Sequence, residues 1–151
     1  MRNSQPILLI GADRVDVLMV KRTLEDLKVT NLLVHKAGGN EALEYLKNKG
    51  NKKPCVILLD LNMPKMSGIE FLKIIKADDD LKEIPVVVLT TSNREQNVIE
   101  SFKLGVAGYM VKPADYKKFV ETVRKINLCW TLSGLPNSTI KNARFKVPPD
   151  E

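Results

Sequence analysis

The sequence predicts a doubly wound α/β fold in which five parallel strands alternate with five helices. Short apolar runs bounded by polar turns alternate five times with longer segments of helical period, and this alternation is the pattern of βαβ units. The third run, Val56 to Asp60, is apolar at nearly every position, as expected for a central strand covered by helices on both faces. A chain of 151 residues, 44% of them hydrophobic, is long enough to build one such core.

The first two strand–helix units occupy the amino-terminal third of the chain. Strand one spans 7–10, and Asp13 is suited to cap the next helix because its carboxylate can accept a hydrogen bond from an N-terminal N–H group. Strand two spans 31–35, and helix two spans 41–47. The apolar residues that share one face of the first helix are Val17, Val20, Leu24 and Leu27.

The other three units repeat this alternation. Strand three is followed by a third helix that Ser67 is suited to cap and that ends at Ala77. Strand four spans 86–90, helix four 94–104, strand five 108–112, and helix five runs from 115 to about 130. The residues of the third helix that we expect to face inward are Phe71, Ile74 and Ile75.

Composition limits the number of domains and the classes of partner. We predict one domain over residues 1–132 and a carboxy-terminal tail over 133–151, rich in Gly, Pro, Asn, Ser and Lys, with no second domain. The net charge of +6 is spread over helix faces and the tail, so direct nucleic acid binding is not expected. Cys55 and Cys129 lack metal-ligand or redox spacing and are expected to be buried packing thiols.

No segment has the character of a membrane or secretion signal. The longest apolar runs are strand-sized, far short of the roughly 20 residues that a membrane helix requires. The amino terminus shows no small-residue cleavage site. We therefore expect a cytoplasmic protein without a membrane partner.

Three polar residues end consecutive strands of the predicted sheet. Asp60 closes strand three, Thr90 closes strand four and Lys112 closes strand five. Because the carboxyl ends of parallel strands meet at one edge of the sheet, we expect these side chains to lie together. A carboxylate, a hydroxyl and an ammonium suit phosphoryl transfer onto the carboxylate: Asp60 attacks, the Thr90 hydroxyl contacts a phosphoryl oxygen and Lys112 offsets the added charge.

A divalent cation is expected to accompany this chemistry. Asn62 lies two residues after Asp60, where its backbone carbonyl is suited to bind Mg²⁺ together with the Asp60 carboxylate. Pro64 and Gly68 shape the loop that holds Asn62.

These residues lie in motifs that resemble the receiver domains of response regulators in two-component signalling. The matching stretches are Leu58 to Gly68, reading LLDLNMPKMSG; Ile84 to Ser92, reading IPVVVLTTS; and Gly105 to Pro113, reading GVAGYMVKP. The resemblance covers roughly residues 6–130. Within the family, the carboxy-terminal end with Trp130 and Leu135-Pro136 looks most like the single-domain regulators associated with phytochrome-type histidine kinases.

The resemblance implies a fold, a function and partners. The fold is flavodoxin-like, with strand order 2-1-3-4-5. Asp60 is the residue that a histidine kinase phosphorylates, Thr90 and Tyr109 are switch residues, Lys112 contacts the phosphoryl group and Mg²⁺ is the cofactor. We also expect a homodimer through helix four, strand five and helix five. The side chains expected on that face are Phe102, Val106, Tyr116 and Phe119.

The sequence departs from the family at the metal site. The family places two adjacent acidic residues after strand one, whereas this chain has Gly11 and Ala12. Asp13 follows, with two roles open to it, helix cap or metal ligand. We therefore expect Mg²⁺ to bind weakly or not at all. Two interpretations remain: a receiver phosphorylated on Asp60 despite the altered site, or a phosphorylation-independent pseudo-receiver that acts as a protein-binding module.

An enzyme alternative fits the residues less well. Haloacid-dehalogenase-like phosphatases also use a strand-end Asp, a Thr or Ser and a Lys. The stretch Asp60-Leu61-Asn62 lacks their second aspartate, and Asp60 follows the third strand instead of the first. The chain is therefore not expected to be an enzyme.

Overall fold

The computed structural model describes residues 5–11, 13–63, 65–90, 95–111 and 117. The predicted strand order is confirmed, because five parallel strands form one sheet in the order β2-β1-β3-β4-β5. Apart from residue 117, the predicted fifth helix lies outside the described residues, as do the 132/133 domain boundary and the tail. The strands are β1 Ile7–Ile10, β2 Leu33–Lys36, β3 Val56–Leu59, β4 Val86–Thr90 and β5 Gly108–Val111. The helices are α1 Arg14–Asp26, α2 Gly39–Lys47, α3 Gly68–Ala77 and α4 Glu95–Lys103.

Helices cover both faces of the sheet, which explains the unbroken apolar runs of the central strands. Alternate residues of each strand point to opposite faces. One set packs with α1, and the other set packs with α2, α3 and α4. All four residues of β1 and all four of β3 are buried. Within the described part of the chain, no helix has the length and apolar character needed to cross a bilayer.

Two helix starts follow the predicted capping chemistry. Asp13 is the N-cap of α1, where its Oδ1 accepts a hydrogen bond from the Asp16 N–H at 2.8 Å. Ser67 is the N-cap of α3, where its Oγ accepts from the Glu70 N–H at 3.1 Å. The Glu70 carboxylate in turn accepts from the Ser67 N–H at 3.0 Å and completes a capping box. The cap interpretation of Asp13 is thus confirmed.

Two expectations about individual side chains are wrong. Ile74 was expected to face inward, but it is 38% exposed, because α3 turns Phe71, Leu72 and Ile75 toward the sheet instead. Cys55 was expected to be a free thiol, but it takes part in a disulfide. Cys129, the only other cysteine of the sequence, lies outside the described residues.

Two serines are expected to affect stability in opposite directions. Ser101 in α4 is fully buried, and its Oγ has no hydrogen-bond partner within the described chain. A buried hydroxyl without a partner costs about 1–3 kcal/mol, so Ser101→Ala should raise the free energy of unfolding by about 1 kcal/mol.

Ser67→Ala removes the α3 cap and should lower the free energy of unfolding by about 1 kcal/mol. Urea denaturation followed by circular dichroism measures both, and a loss of stability in Ser101→Ala would contradict the assignment.

Candidate functional site

The fold places two of the three predicted strand-end residues, Asp60 and Thr90, at one edge of the sheet. Asp60 directly follows β3, and Thr90 is the last residue of β4, the neighbouring strand. Thr90 pairs in register with Val111, the last residue of β5. Lys112 comes next in the sequence but lies outside the described residues, and the Thr90 side chain is not described. Among the described positions, the backbone of Asp60 and that of Thr90 are therefore brought to the same carboxyl edge.

The Asp60 carboxyl group is buried and held by backbone contacts. The residue is only 6% exposed, although it is charged and lies at the end of a strand. Its N–H donates to the Ile10 carbonyl at 3.0 Å and thereby continues the β1–β3 ladder by one residue. Its Oδ1 accepts from the Asn62 N–H at 2.9 Å. Buried carboxylates usually require such hydrogen bonds, and this one fixes the orientation of the carboxyl plane.

Asn62 contacts Asp60 through its backbone N–H, and not through the backbone carbonyl that was predicted as a metal ligand. The prediction concerned the Asn62 carbonyl as a metal ligand, whereas the observed contact uses its N–H. The N–H contact orients the Asp60 carboxylate directly and needs no cation. The role of the carbonyl stays a prediction.

Gly68 allows α3 to begin against the backbone of Asp60 and Leu61. A Cβ atom at this position would lie 2.5 Å from the Leu61 Cα and 2.8 Å from the Asp60 carbonyl oxygen. Both are backbone atoms, which cannot rotate out of the way as a side chain can. The Gly68 N–H also donates to the Leu61 carbonyl at 3.0 Å. The short distance between the first turn of α3 and Asp60 therefore requires glycine at position 68.

Gly11 directly follows β1, and its backbone is unusual. Its φ is +82°, in the left-handed region that residues with a side chain rarely adopt. A Cβ atom here would lie 2.5 Å from the Met63 Cγ and 2.7 Å from the Met63 Sδ. It would also lie 3.3 Å from the Asp60 Cβ. Met63 therefore occupies the space, next to Asp60, into which a Cβ at position 11 with this backbone conformation would extend.

The close approach of Met63 to Gly11 was not predicted from the sequence. A glycine in place of an acidic residue was the available signal, since glycine permits both a positive φ and a close approach by another side chain.

The described residues do not fit the two-acid metal site of the family. They contain no group of three or more His, Cys, Asp or Glu side chains that could hold a metal ion. Gly11 supplies no side-chain oxygen, and an oxygen of Asp13 is used to cap α1. Asp60 is therefore the acidic residue that the described part of this edge offers to a cation.

The predicted switch and interface residues differ in their exposure. Tyr109 in β5 is fully buried and packs in the core on the face covered by α2, α3 and α4. Val106 was expected on an exposed interface, but it is buried in the same core, and that expectation is wrong. Phe102 is 37% exposed, as an interface residue requires. Tyr116 and Phe119 lie outside the described residues.

Comparisons with known proteins agree with this arrangement. A family model described as the response regulator receiver domain matches residues 7–124. The response regulator Rcp1 of Synechocystis is 38% identical over 128 residues, which cover 82% of this chain and 87% of Rcp1. The crystal structure of the Mn²⁺-bound form of Rcp1 has a TM-score of 0.76 and 36% identity, and the match covers 87% of this chain and 97% of that one.

A second solved structure extends the likeness to a phosphorylated protein. The phosphorylated cyanobacterial phytochrome response regulator RcpA has a TM-score of 0.76 and 35% identity, with 87% of this chain and 96% of that chain covered. The family model spans most of the chain, and the matched residues include Asp60, Thr90 and Lys112. The chain therefore belongs to the response regulator receiver domain family.

Proposed function

We propose that this chain is the receiver of a two-component phosphorelay and accepts a phosphoryl group on Asp60 from a histidine kinase. The observation that carries the proposal is the buried, backbone-held Asp60 carboxylate at the carboxyl edge of the central strand. The likeness to a phosphorylated phytochrome response regulator supports a phytochrome-type histidine kinase as the donor. In this proposal the receiver acts by signalling through its phosphorylated surface, and not by turning over a substrate.

The transfer follows from the chemistry of the three strand-end residues. An Asp60 carboxylate oxygen attacks the phosphorus atom of the kinase phosphohistidine, so an O–P bond forms as the P–N bond breaks and the electron pair stays on the histidine nitrogen. The Asn62 N–H keeps the carboxylate oriented for this attack. In this proposal the Thr90 hydroxyl and the Lys112 ammonium contact the new phosphoryl oxygens. The new contact at Thr90 in turn changes the conformation of the Tyr109 side chain.

The cation at this site is proposed to be weakly bound or absent. The proposed ligands are the Asp60 carboxylate and the Asn62 carbonyl, with Asp13 contributing little because it caps α1. Mg²⁺ usually keeps several waters and takes one or two carboxylates, so a single buried carboxylate makes a poor site. When bound, Mg²⁺ would offset charge on the phosphoryl oxygens.

A second candidate function is supported by the residues that follow β1. Because Gly11 carries no side chain and an oxygen of Asp13 caps α1, the chain also suits a phosphorylation-independent pseudo-receiver that acts by binding a protein. The two functions share one fold and differ in whether an acyl phosphate forms. The same measurement therefore decides between them.

Intact-mass spectrometry after incubation with acetyl phosphate tests the proposal. We expect one phosphoryl group to be added, about tenfold or more slowly than to a receiver that keeps both acidic residues, because charge offset by a cation is weakened. The rate should change little between a chelator and millimolar Mg²⁺. Absence of any adduct, both with acetyl phosphate and with a phytochrome-type kinase, would favour the pseudo-receiver.

We also propose that the protein is a cytoplasmic homodimer that does not bind nucleic acid directly. In each subunit the receiver domain spans residues 1–132 and the tail spans residues 133–151. Ile99 and Phe102, one helical turn apart on α4, are 47% and 37% exposed and support a contact through α4, β5 and the fifth helix. Sedimentation equilibrium tests this contact, and a monomer at all concentrations would refute it.

A further inference from the structure

Cys55 lies at the amino edge of the sheet, opposite the edge that carries Asp60. It directly precedes β3, and its N–H donates to the Pro6 carbonyl at 2.9 Å, which extends the β1–β3 ladder by one residue at this end. The residue is buried and belongs to the core cluster on the face of the sheet that α1 covers. Its sulfur is bound in a disulfide. The core therefore holds one end of a covalent cross-link at a fixed point of the central strand.

Hydrogen bonds between neighbouring segments hold the surroundings of Cys55. The Asn31 side-chain amide donates to the Gln5 carbonyl at 2.8 Å, and its nitrogen lies 3.8 Å from the Cys55 Sγ. The Gln5 side-chain amide donates to the Lys53 carbonyl at 3.3 Å. The stretches that precede β1, β2 and β3 are thereby joined at one edge. Because this end of the cross-link is fixed, the disulfide holds its partner to the sheet.

The sequence holds one candidate for the other half of the disulfide. Cys129, which lies outside the described residues, is the only other cysteine of the chain. It falls near the end of the predicted fifth helix, which starts after β5 at the carboxyl edge. In doubly wound folds the helices run back along the sheet, antiparallel to the strands, so the last turn of this helix is expected at the amino edge. The predicted fold thus brings position 129 to the edge where Cys55 lies.

The burial of β4 and β5 supports a covering segment on the same face as Cys55. Val87, Leu89 and Met110 belong to the core cluster that contains Cys55, and all three are buried. Among the described residues, α1 is the helix on this face, and it connects β1 to β2 at the end of the sheet opposite β5. The side chains of β4 and β5 on this face therefore require cover from another part of the chain, and the segment after β5 is long enough to supply it.

We propose that Cys55 and Cys129 form a redox-controlled intrachain disulfide that fastens the segment after β5 to the amino edge of the central strand. Oxidation proceeds by thiol–disulfide exchange with a low-molecular-weight disulfide of the glutathione class. One cysteine thiolate attacks the small disulfide and displaces a small thiolate, and the second cysteine thiolate then attacks the mixed disulfide and displaces the other. The two cysteine protons pass to the released thiolates, so the small disulfide gains the two electrons that the protein thiols lose.

The surroundings of Cys55 suit the reduced state as well. The Sγ lies 3.5 Å from the Pro6 carbonyl oxygen, so the thiol formed on reduction can donate its S–H to an oxygen that is already beside it. Reduction therefore releases the segment after β5 while the core around Cys55 stays in place. Disulfides of cytoplasmic proteins are usually transient and redox-sensing, which accords with the location proposed above. The inference goes beyond phosphoryl acceptance, because it concerns the edge opposite Asp60.

Peptide mapping of the full chain identifies the two sulfur atoms. The protein is incubated with oxidised glutathione, free thiols are blocked with N-ethylmaleimide, and tryptic digests with and without dithiothreitol are compared by mass spectrometry. We expect a monomer that is lighter than the reduced chain by the mass of two hydrogen atoms, with the Cys55 and Cys129 peptides linked to each other. Free thiols at both positions, lasting glutathione adducts, or a link between two chains would overturn the proposal.

Urea denaturation under oxidising and reducing conditions measures the effect of the cross-link. Positions 55 and 129 enclose a loop of about 70 residues, and closing such a loop restricts the unfolded chain. We expect reduction of the unmodified chain to lower the equilibrium constant for folding by roughly a hundredfold. An unchanged urea midpoint would overturn the proposal.

Cys55→Ser and Cys129→Ser are the matched controls, because each removes the bond. Comparing the two redox conditions within one protein cancels the cost of the substitution itself, so each variant should show the same urea midpoint in both. Cys129→Ser leaves the buried Cys55 unchanged and keeps the comparison available if Cys55→Ser does not fold. A midpoint that still depends on redox conditions in Cys129→Ser would overturn the pairing. None of these outcomes bears on acetyl phosphate labelling of Asp60, so the proposed function stands or falls separately.

Discussion

Replacing Asp60 with asparagine is expected to abolish phosphoryl acceptance while leaving the fold intact. An amide cannot form the acyl phosphate, so the mass adduct should be lost completely. The Asn side-chain oxygen can still accept the Asn62 N–H that Oδ1 accepts now. We therefore expect the free energy of unfolding to change by less than about 1 kcal/mol. Intact-mass spectrometry and urea denaturation measure the two effects.

Asp16 provides the control for this substitution. It is a buried carboxylate like Asp60, 7% exposed, and it lies in the first turn of α1. Asp16→Asn should keep the full adduct, because Asp16 is not at the strand edge. Persistence of the adduct in Asp60→Asn, or its loss in Asp16→Asn, would show that Asp60 is not the acceptor.

Gly68→Ala is expected to cause a large loss of stability and to disturb the acceptor. The added methyl group would meet the Leu61 Cα and the Asp60 carbonyl oxygen below van der Waals distance. Because these are backbone atoms, either α3 or the end of β3 must shift. Overpacking of this kind costs about 1–3 kcal/mol, and we expect the upper half of that range. Urea denaturation measures the loss, and labelling by acetyl phosphate should slow in parallel.

Gly50→Ala is the matched control for this prediction. Gly50 lies in an exposed turn, where a Cβ would meet only the Asn48 Oδ1, at 3.2 Å. Without a positive φ or a backbone clash, this glycine should tolerate alanine with a change of less than about 1 kcal/mol. If Gly68→Ala proved as mild as Gly50→Ala, the close approach of α3 to Asp60 would be wrong.

The position of Asp60 at the carboxyl edge of the sheet was predictable because the sequence features that indicate it lie close together in the chain. An apolar run that stops on a polar residue can be recognised within five or six positions, and a parallel sheet brings such ends to one edge whatever the intervening loops do. The N-caps at Asp13 and Ser67 were predictable for the same reason, since each cap involves residues three positions apart.

The burial of individual apolar side chains was less predictable. Ile74 and Val106 are apolar and lie at positions where either orientation suits the sequence pattern. Ile74 is exposed because Phe71 and Ile75 already fill the sheet-facing side of α3, and Val106 is buried beneath α4. Whether such a side chain is buried depends on which neighbouring side chains already fill the core. The local periodicity of the sequence contains no information about those neighbours.

From the sequence by itself came the alternation of strands and helices, the strand-end positions of Asp60 and Thr90, and the absence of acidic residues at Gly11 and Ala12. Each of these follows from residues close together in the chain. Only the tertiary structure decided that Gly11 takes a left-handed φ and that Met63 fills the space next to Asp60. Gly11 and Met63 belong to different strand–helix units, so their contact depends on how β1 and β3 pair and on how the loop after β3 folds back over that pair.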